Sequence, residues 1–192
     1  MHFPDVVFKL PDWVKHFLPE PDGVFPTIEE RMRLVVTLSG LNVKHGTGGP
    51  FAAAIFEKEG GRLIAPGINL VVPARCSVAH AEILSIMIAQ KKLGSYDLSG
   101  VGTEAYELVS STEPCAMCLG AIPWSGIRRL VSGARDEDAR RMGFDEGAKP
   151  ADWAASLEAR GIEVIPDVLR HEAQAVLIHY RDTGGIVYNA GR

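Results

Sequence analysis

Cysteine is scarce in this sequence: Cys76, Cys115 and Cys118 are three residues in 192. So small and odd a number excludes a disulfide-stapled secreted scaffold. A basic excess is missing as well. Twenty Lys and Arg stand against 24 Asp and Glu, a formal net charge of −4. That is the wrong sign for a surface built to hold nucleic acid, and too mild for a disordered acidic tail. No apolar run approaches the roughly 18 residues of a membrane helix. The N-terminal stretch MHFPDVVFKLPDWV lacks a basic region followed by an apolar signal core. These absences point to a cytoplasmic protein, away from membranes and nucleic acid, acting on a small diffusing molecule.

What is present suits one globular domain: 46% hydrophobic and 23% charged residues, enough to bury a core without staples. Residues 1–26 carry Pro4, Pro11, Pro19, Pro21 and Pro26, which disfavour a long helix. The aromatics scattered among them suggest an arm that packs against something. Thr27-x-x-Glu30 reads as a capping box opening a helix through Leu41. Phe51–Glu57 and Arg62–Leu70 read as strands joined by a Lys58-Glu59-Gly60-Gly61 turn. Helices are expected over 79–93, 115–124, 136–142, 151–160 and 167–180, with strands over 106–110, 127–132 and 162–165. A hairpin followed by alternating helices and strands predicts an α/β layered fold with a largely buried sheet. The last dozen residues, 181–192, read as a flexible tail on a domain spanning 27–192.

Two short segments carry the chemistry. In Pro114-Cys115-Ala116-Met117-Cys118 the two thiols are three residues apart, so a helix puts them on one face, able to chelate one ion. Pro114 suits a first helical turn, whose positive end favours thiolates. His80, in His80-Ala81-Glu82, opens another helix and adds a nitrogen. Two thiolates and one imidazole leave a fourth tetrahedral position for water, as in catalytic zinc sites, with one Zn²⁺ per chain. Glu82 lies two residues from His80, a spacing that diverges in mid-helix and converges only if the metal sits off the helix end. A different reading takes Cys76, four residues before His80, as a fourth ligand. Cys76, His80, Cys115 and Cys118 would then be a closed structural site in a non-catalytic module. A thioredoxin-like dithiol is a third possibility.

His80-x-Glu82 with Pro114-Cys115-x-x-Cys118 resembles the signature of the cytidine deaminase superfamily, a zinc-deaminase pattern. The similarity runs from about Glu29 to the C-terminus and includes the Gly-Gly-Pro-Phe-Ala-Ala-Ala stretch at 48–54. It implies a three-layer α/β/α fold, a central mixed five-stranded sheet flanked by helices. Thr112–Ile122 looks like the purine-deaminating branch, and Trp124 with Gly143-Phe144-Asp145-Glu146 is similar to the guanine deaminases within it. The resemblance implies hydrolysis of guanine to xanthine and ammonia, with His80, Cys115 and Cys118 on zinc, Glu82 as proton shuttle and Glu146 as a second. It also implies base recognition by Asn69 and Ala81, a base sandwiched by Phe51 and Phe144, and a homodimer. The Tyr188-Asn189 tail matches loosely a segment that closes the pocket in that branch. Guanosine or cytosine-type deamination remains open, while editing of tRNA is disfavoured by the acidic charge.

Overall fold

The computed structural model describes residues 2–18, 23–102 and 104–189. The chain runs α1 (Asp12–Phe17), α2 (Ile28–Lys44), β1 (Ala52–Glu57), β2 (Leu63–Ile68), α3 (Val71–Ala74) and α4 (Ala81–Leu93). It continues with β3 (Tyr106–Thr112), α5 (Ala116–Ser125), β4 (Arg129–Ala134), α6 (Asp136–Arg141), α7 (Trp153–Glu158), β5 (Glu163–Ile165) and α8 (Arg170–Asp182). The five strands form one mixed sheet in the order β2-β1-β3-β4-β5. β1 is antiparallel to β2 and β3, and β4 runs parallel to β3 and β5. The expected mixed five-stranded sheet flanked by helices is what forms.

β1, β3 and β4 are buried along their whole length, which is why they read as continuous apolar or small-residue runs. Alternate residues serve opposite layers. Ala53, Ile55, Leu108 and Leu130 pack with Ala81, Ile86 and Ala89 of α4 and with Leu119 and Ile122 of α5. Ala52, Ala54, Phe56, Val109 and Val131 pack with Met32, Val35 and Leu38 of α2. On α8, Ala173, Leu177 and Tyr180 form the buried stripe. Gly67 lets β2 and α4 touch, since a Cβ there would lie 2.1 Å from the Ala81 carbonyl oxygen.

α2 starts where the sequence places it. Thr27 Oγ1 accepts from the Glu30 amide at 3.2 Å, and the Thr27 amide donates to Glu30 Oε2 at 2.9 Å. Most other elements fall within a residue or two of expectation, and three short helical pieces were not anticipated. Between Pro11 and Leu18, α1 buries Val14, and Trp13 donates to Thr47 Oγ1 at 3.1 Å while stacking on His45. Phe25 and Gly23 pair with the edge of β2 through the Gly61 carbonyl and the Leu63 amide. The arm thus packs on the α2 layer, though Phe3, Val6 and Val7 stay exposed. Pro19 and Pro21 lie outside the described residues. β2 ends at Ile68 instead of Leu70, because Asn69 Oδ1 accepts from the Val71 amide at 3.2 Å and turns the chain into α3. Leu98–Gly100 forms a single 3-10 turn.

Residues 185–189 fold back onto the domain: Tyr180 donates to the Ile186 carbonyl, and Asn189 brackets the 143–145 segment. Among the described residues no helix is long and apolar enough to cross a membrane.

Candidate active site

Strand directions gather the functional segments at one end of the sheet. The start of β1 lies beside the ends of β2 and β3, and Thr112 at the end of β3 pairs with Ala134 at the end of β4. Ligands in open α/β sheets bind at such carboxyl ends. A cavity of about 390 Å³ opens there, with His80, Glu82, Cys115, Glu146, Asn69 and Tyr188 in its wall.

His80 is the residue before α4, with extended backbone (φ −75, ψ 154), and Glu82 is in the first helical turn. This answers the spacing problem: at a helix start the two side chains reach the same cavity. Cys115 stands likewise before α5, and Cys118 lies within its first turn. His80 Nδ1 is 3.5 Å from Cys115 Sγ and 3.6 Å from Cys118 Sγ.

One donor atom from each of these residues lies within 4.8 Å of the others, the three-donor group that His80, Cys115 and Cys118 form. One imidazole nitrogen and two sulfurs suit zinc and leave room for a non-protein ligand. Cys76 is not in the group. It packs against the α2-side core and lines the cavity wall, so the closed four-ligand site does not form.

Charge in the site is strongly coupled. The Cys115 thiol is held at about 4, chiefly by a hydrogen bond from Cys118, with His80 adding to it against the opposing effect of burial. Cys118 is pushed up by that same bond and by burial. A dication removes this conflict by stabilising both thiolates. Burial disfavours the His80 cation, but the bond to Cys115 and the charge of Glu82 outweigh it and raise its pKa. Glu82, 7% exposed, is pushed up by burial and by the Cys115 sulfur. Glu146, equally buried, is pushed up to about 8 by burial, then by Cys115, Glu82 and Asp136. Two buried carboxyl groups of raised pKa beside a metal-donor set are equipped to move protons.

Asn69 is buried on the cavity floor. Its Nδ2 donates to Tyr188 Oη at 2.6 Å, and its backbone carbonyl accepts from Asn42 at 3.0 Å. Phe51 and Phe144 meet edge to face, with centroids 4.9 Å apart and planes at 76°. A ring cannot fit between them, so the expected sandwich is replaced by a single aromatic wall. Ala81 also departs from expectation: its methyl is fully buried in the α4-side core, and it is not a wall residue.

Tyr188, which the resemblance matched only loosely to a pocket-closing tail and which was not among the expected substrate contacts, lines the cavity. It stands over His80 and Phe144, with centroids at 6.4 and 5.5 Å, and burial beside Glu82 and Glu146 raises its pKa. Asn189 beside it donates to the Gly143 carbonyl at 2.8 Å and accepts from the Asp145 amide at 2.9 Å. The tail thus fastens the segment that carries Phe144 and Glu146.

Comparison with known proteins gives deaminases of several substrates, tRNA-specific adenosine deaminases and a probable cytosine deaminase among them. Residues 26–134 match the family model of the cytidine and deoxycytidylate deaminase zinc-binding region. The chain is 40% identical to the guanine deaminase of Bacillus subtilis over 118 residues, 62% of this chain and 71% of that protein. A solved guanine deaminase from Nitrosomonas europaea is 47% identical, covering 95% of this chain and 100% of its own, with a TM-score of 0.88. A structure in complex with 2,6-diaminopurine is 48% identical over 97% of both chains, with a TM-score of 0.89.

Proposed function

The chain belongs to the cytidine and deoxycytidylate deaminase family, and on that premise we propose that it hydrolyses guanine to xanthine and ammonia. One observation carries the reading: the His80, Cys115 and Cys118 donors share a cavity with two buried carboxyl groups of raised pKa, Glu82 and Glu146. The similarity to two guanine deaminases and to a diaminopurine-bound structure supports guanine over other heterocycles.

Zinc held by these three residues supplies Lewis acidity that makes water nucleophilic near neutral pH. Glu82 accepts a proton from the attacking water and returns it to the ring nitrogen beside C2. A C2–O bond forms and the C2–N bond to the exocyclic amine breaks. Glu146 delivers the proton that lets the amine leave as ammonia and takes up the proton that the C2 hydroxyl loses as the carbonyl forms. Guanine and one water become xanthine and one ammonia, with no net redox change. Asn69 reads the heterocycle edge with its amide, while Phe51, Phe144 and Tyr188 supply apolar contact and keep bulk water out.

The test is ammonia release from guanine, guanosine, cytosine, cytidine, adenine and aminotriazines by the zinc-loaded protein. Guanine should dominate. Activity confined to guanosine moves the reading to a nucleoside, and activity confined to cytosine compounds overturns it.

We propose that the chain forms a homodimer through the outer face of α5. Met117, Gly120, Ala121 and Trp124 recur at helical spacing, and Trp124 is 83% exposed. A helix apolar on both faces calls for a partner. Sedimentation should give a dimer, and Trp124→Glu should shift it toward monomer. A reducing cytoplasm suits the three free thiols.

A further inference from the structure

Glu146 lies in an irregular segment between α6 and α7, yet a proton-transfer group must be held within a fraction of an ångström. On its N-terminal side Asn189 of the tail is the fastener. On its C-terminal side the structure offers Lys149, which the sequence gave no reason to notice.

Lys149 is three residues beyond Glu146, and its side chain is only 6% exposed. Its ammonium donates to the Pro114 carbonyl at 3.0 Å and pairs with Asp136 at 2.8 Å and Glu113 at 3.7 Å. Three donors thus face three acceptors. The ammonium also stands 5.3 Å over the Trp153 ring. Burying an ammonium costs several kcal/mol unless it is well paired, so an apolar residue would be the simpler filler. The contact with Pro114 is specific, because Pro114 immediately precedes Cys115.

Two further contacts tie the same strips of chain together. The Ala116 amide donates to the Glu146 carbonyl at 2.9 Å. Gly147, at φ +71, packs so close that a Cβ there would lie 2.9 Å from that of Ala116. The segment 146–149 is therefore clamped to 114–116 on both sides of Cys115, with the Glu146 side chain projecting into the cavity beside that residue.

We propose that Lys149 is a positioning residue for the deamination, holding Glu146 against the Cys115 end of α5 through its bond to the Pro114 carbonyl. The inference rests on the assignment of Glu146 as a proton donor. Lys149 is not in the cavity wall and acts through Glu146.

Asp136 keeps a second cation in Arg140, so Lys149→Met leaves no bare carboxylate there and should fold. The experiment is a double-mutant cycle of Lys149→Met with Glu146→Gln, measured on zinc-loaded protein with the zinc content of each variant determined. Lys149→Met should keep full zinc, lower kcat on guanine at least tenfold and leave KM within threefold. Combined with Glu146→Gln it should add less than a twofold further loss. Losses that multiply, a fall in turnover matched by a fall in zinc, or an unchanged kcat overturn the proposal. Glu146→Gln alone reports on the underlying assignment: wild-type turnover there means that Glu146 is no donor, whatever Lys149 does. Should Lys149→Met fail to fold, Lys149→Ala, which removes the bond to Pro114 and leaves space for water beside Asp136 and Glu113, carries the same cycle. Lys149→Arg should restore at least a third of wild-type kcat.

Discussion

Asn69 Nδ2 donates to Tyr188 Oη at 2.6 Å, across 119 residues of sequence. The bond joins the floor of the cavity to the tail that covers it. Tyr188→Phe deletes the hydroxyl and keeps the ring against Phe144 and His80. A buried hydrogen bond has a net worth of about 0.5–1.5 kcal/mol, so KM for guanine should rise about two- to tenfold with kcat little changed. Steady-state kinetics decides it, and an unchanged KM would deny Asn69 and Tyr188 a joint role in recognition.

Glu82 lies beside the metal-donor set with its carboxyl buried. Glu82→Gln should keep one zinc per chain and lower kcat by about 10² to 10⁴. Turnover within tenfold of wild type, with zinc measured and intact, would falsify the proton-shuttle assignment.

Glu146 sits at about 8 in the folded chain, against 4.5 for an ordinary glutamate, chiefly through burial. The protonated donor is therefore present at neutral pH, and kcat should fall about tenfold per pH unit above that point. Stability carries the same sign. A raised folded pKa contributes stability that is present in full below 4.5 and lost as pH rises through about 8. The Tm of Glu146→Gln should accordingly gain on wild type between pH 5 and pH 8.5, as thermal melts of zinc-loaded protein would register. A constant difference across that range would contradict the buried-acid account.

Cys76 stands outside the three-donor group. Cys76→Ser should retain one zinc per chain and guanine turnover within about threefold of wild type. Metal analysis showing lost zinc would reinstate Cys76 as a ligand.

At the far end of β3 from the site, Glu107 is fully buried between Arg31 Nη1 at 2.6 Å and Arg129 Nε at 2.5 Å. Arg31 also donates to the carbonyls of Phe25, Pro26 and Lys58, which ties the N-terminal arm to the sheet. Glu107→Ala leaves two guanidinium groups without their carboxylate and should cost about 3–5 kcal/mol. Denaturant unfolding measures the loss. A cost below 1 kcal/mol would mean that the carbonyls alone satisfy Arg31.

The residues read correctly from the sequence are those whose geometry is local. Cys115 and Cys118 converge because one stands at the cap and the other in the first turn of a single helix, and Thr27 with Glu30 closes a cap within one turn. His80 and Glu82 meet because a helix start relaxes a spacing that mid-helix forbids. The continuous apolar and small-residue runs of β1, β3 and β4 announced a sheet covered on both faces. What escaped was long-range or decided by one side chain. Asn69 turned a strand end into α3 by capping the Val71 amide, where Val71 and Val72 alone favour an extended chain. Phe51 and Phe144 were rightly placed at the cavity, but only packing could set their planes at 76° and exclude a sandwich.

The sequence by itself therefore determined the metal donors, the carboxylate beside them and the layered α/β class, because backbone periodicity encodes those relations within a few residues. Tertiary structure alone decided that Tyr188 covers the site, that Cys76 stays out of the metal group and that Lys149 clamps the Glu146 segment to Pro114. These depend on which sheet end the segments reach and on how closely two backbones approach at Gly147. No local spacing records either.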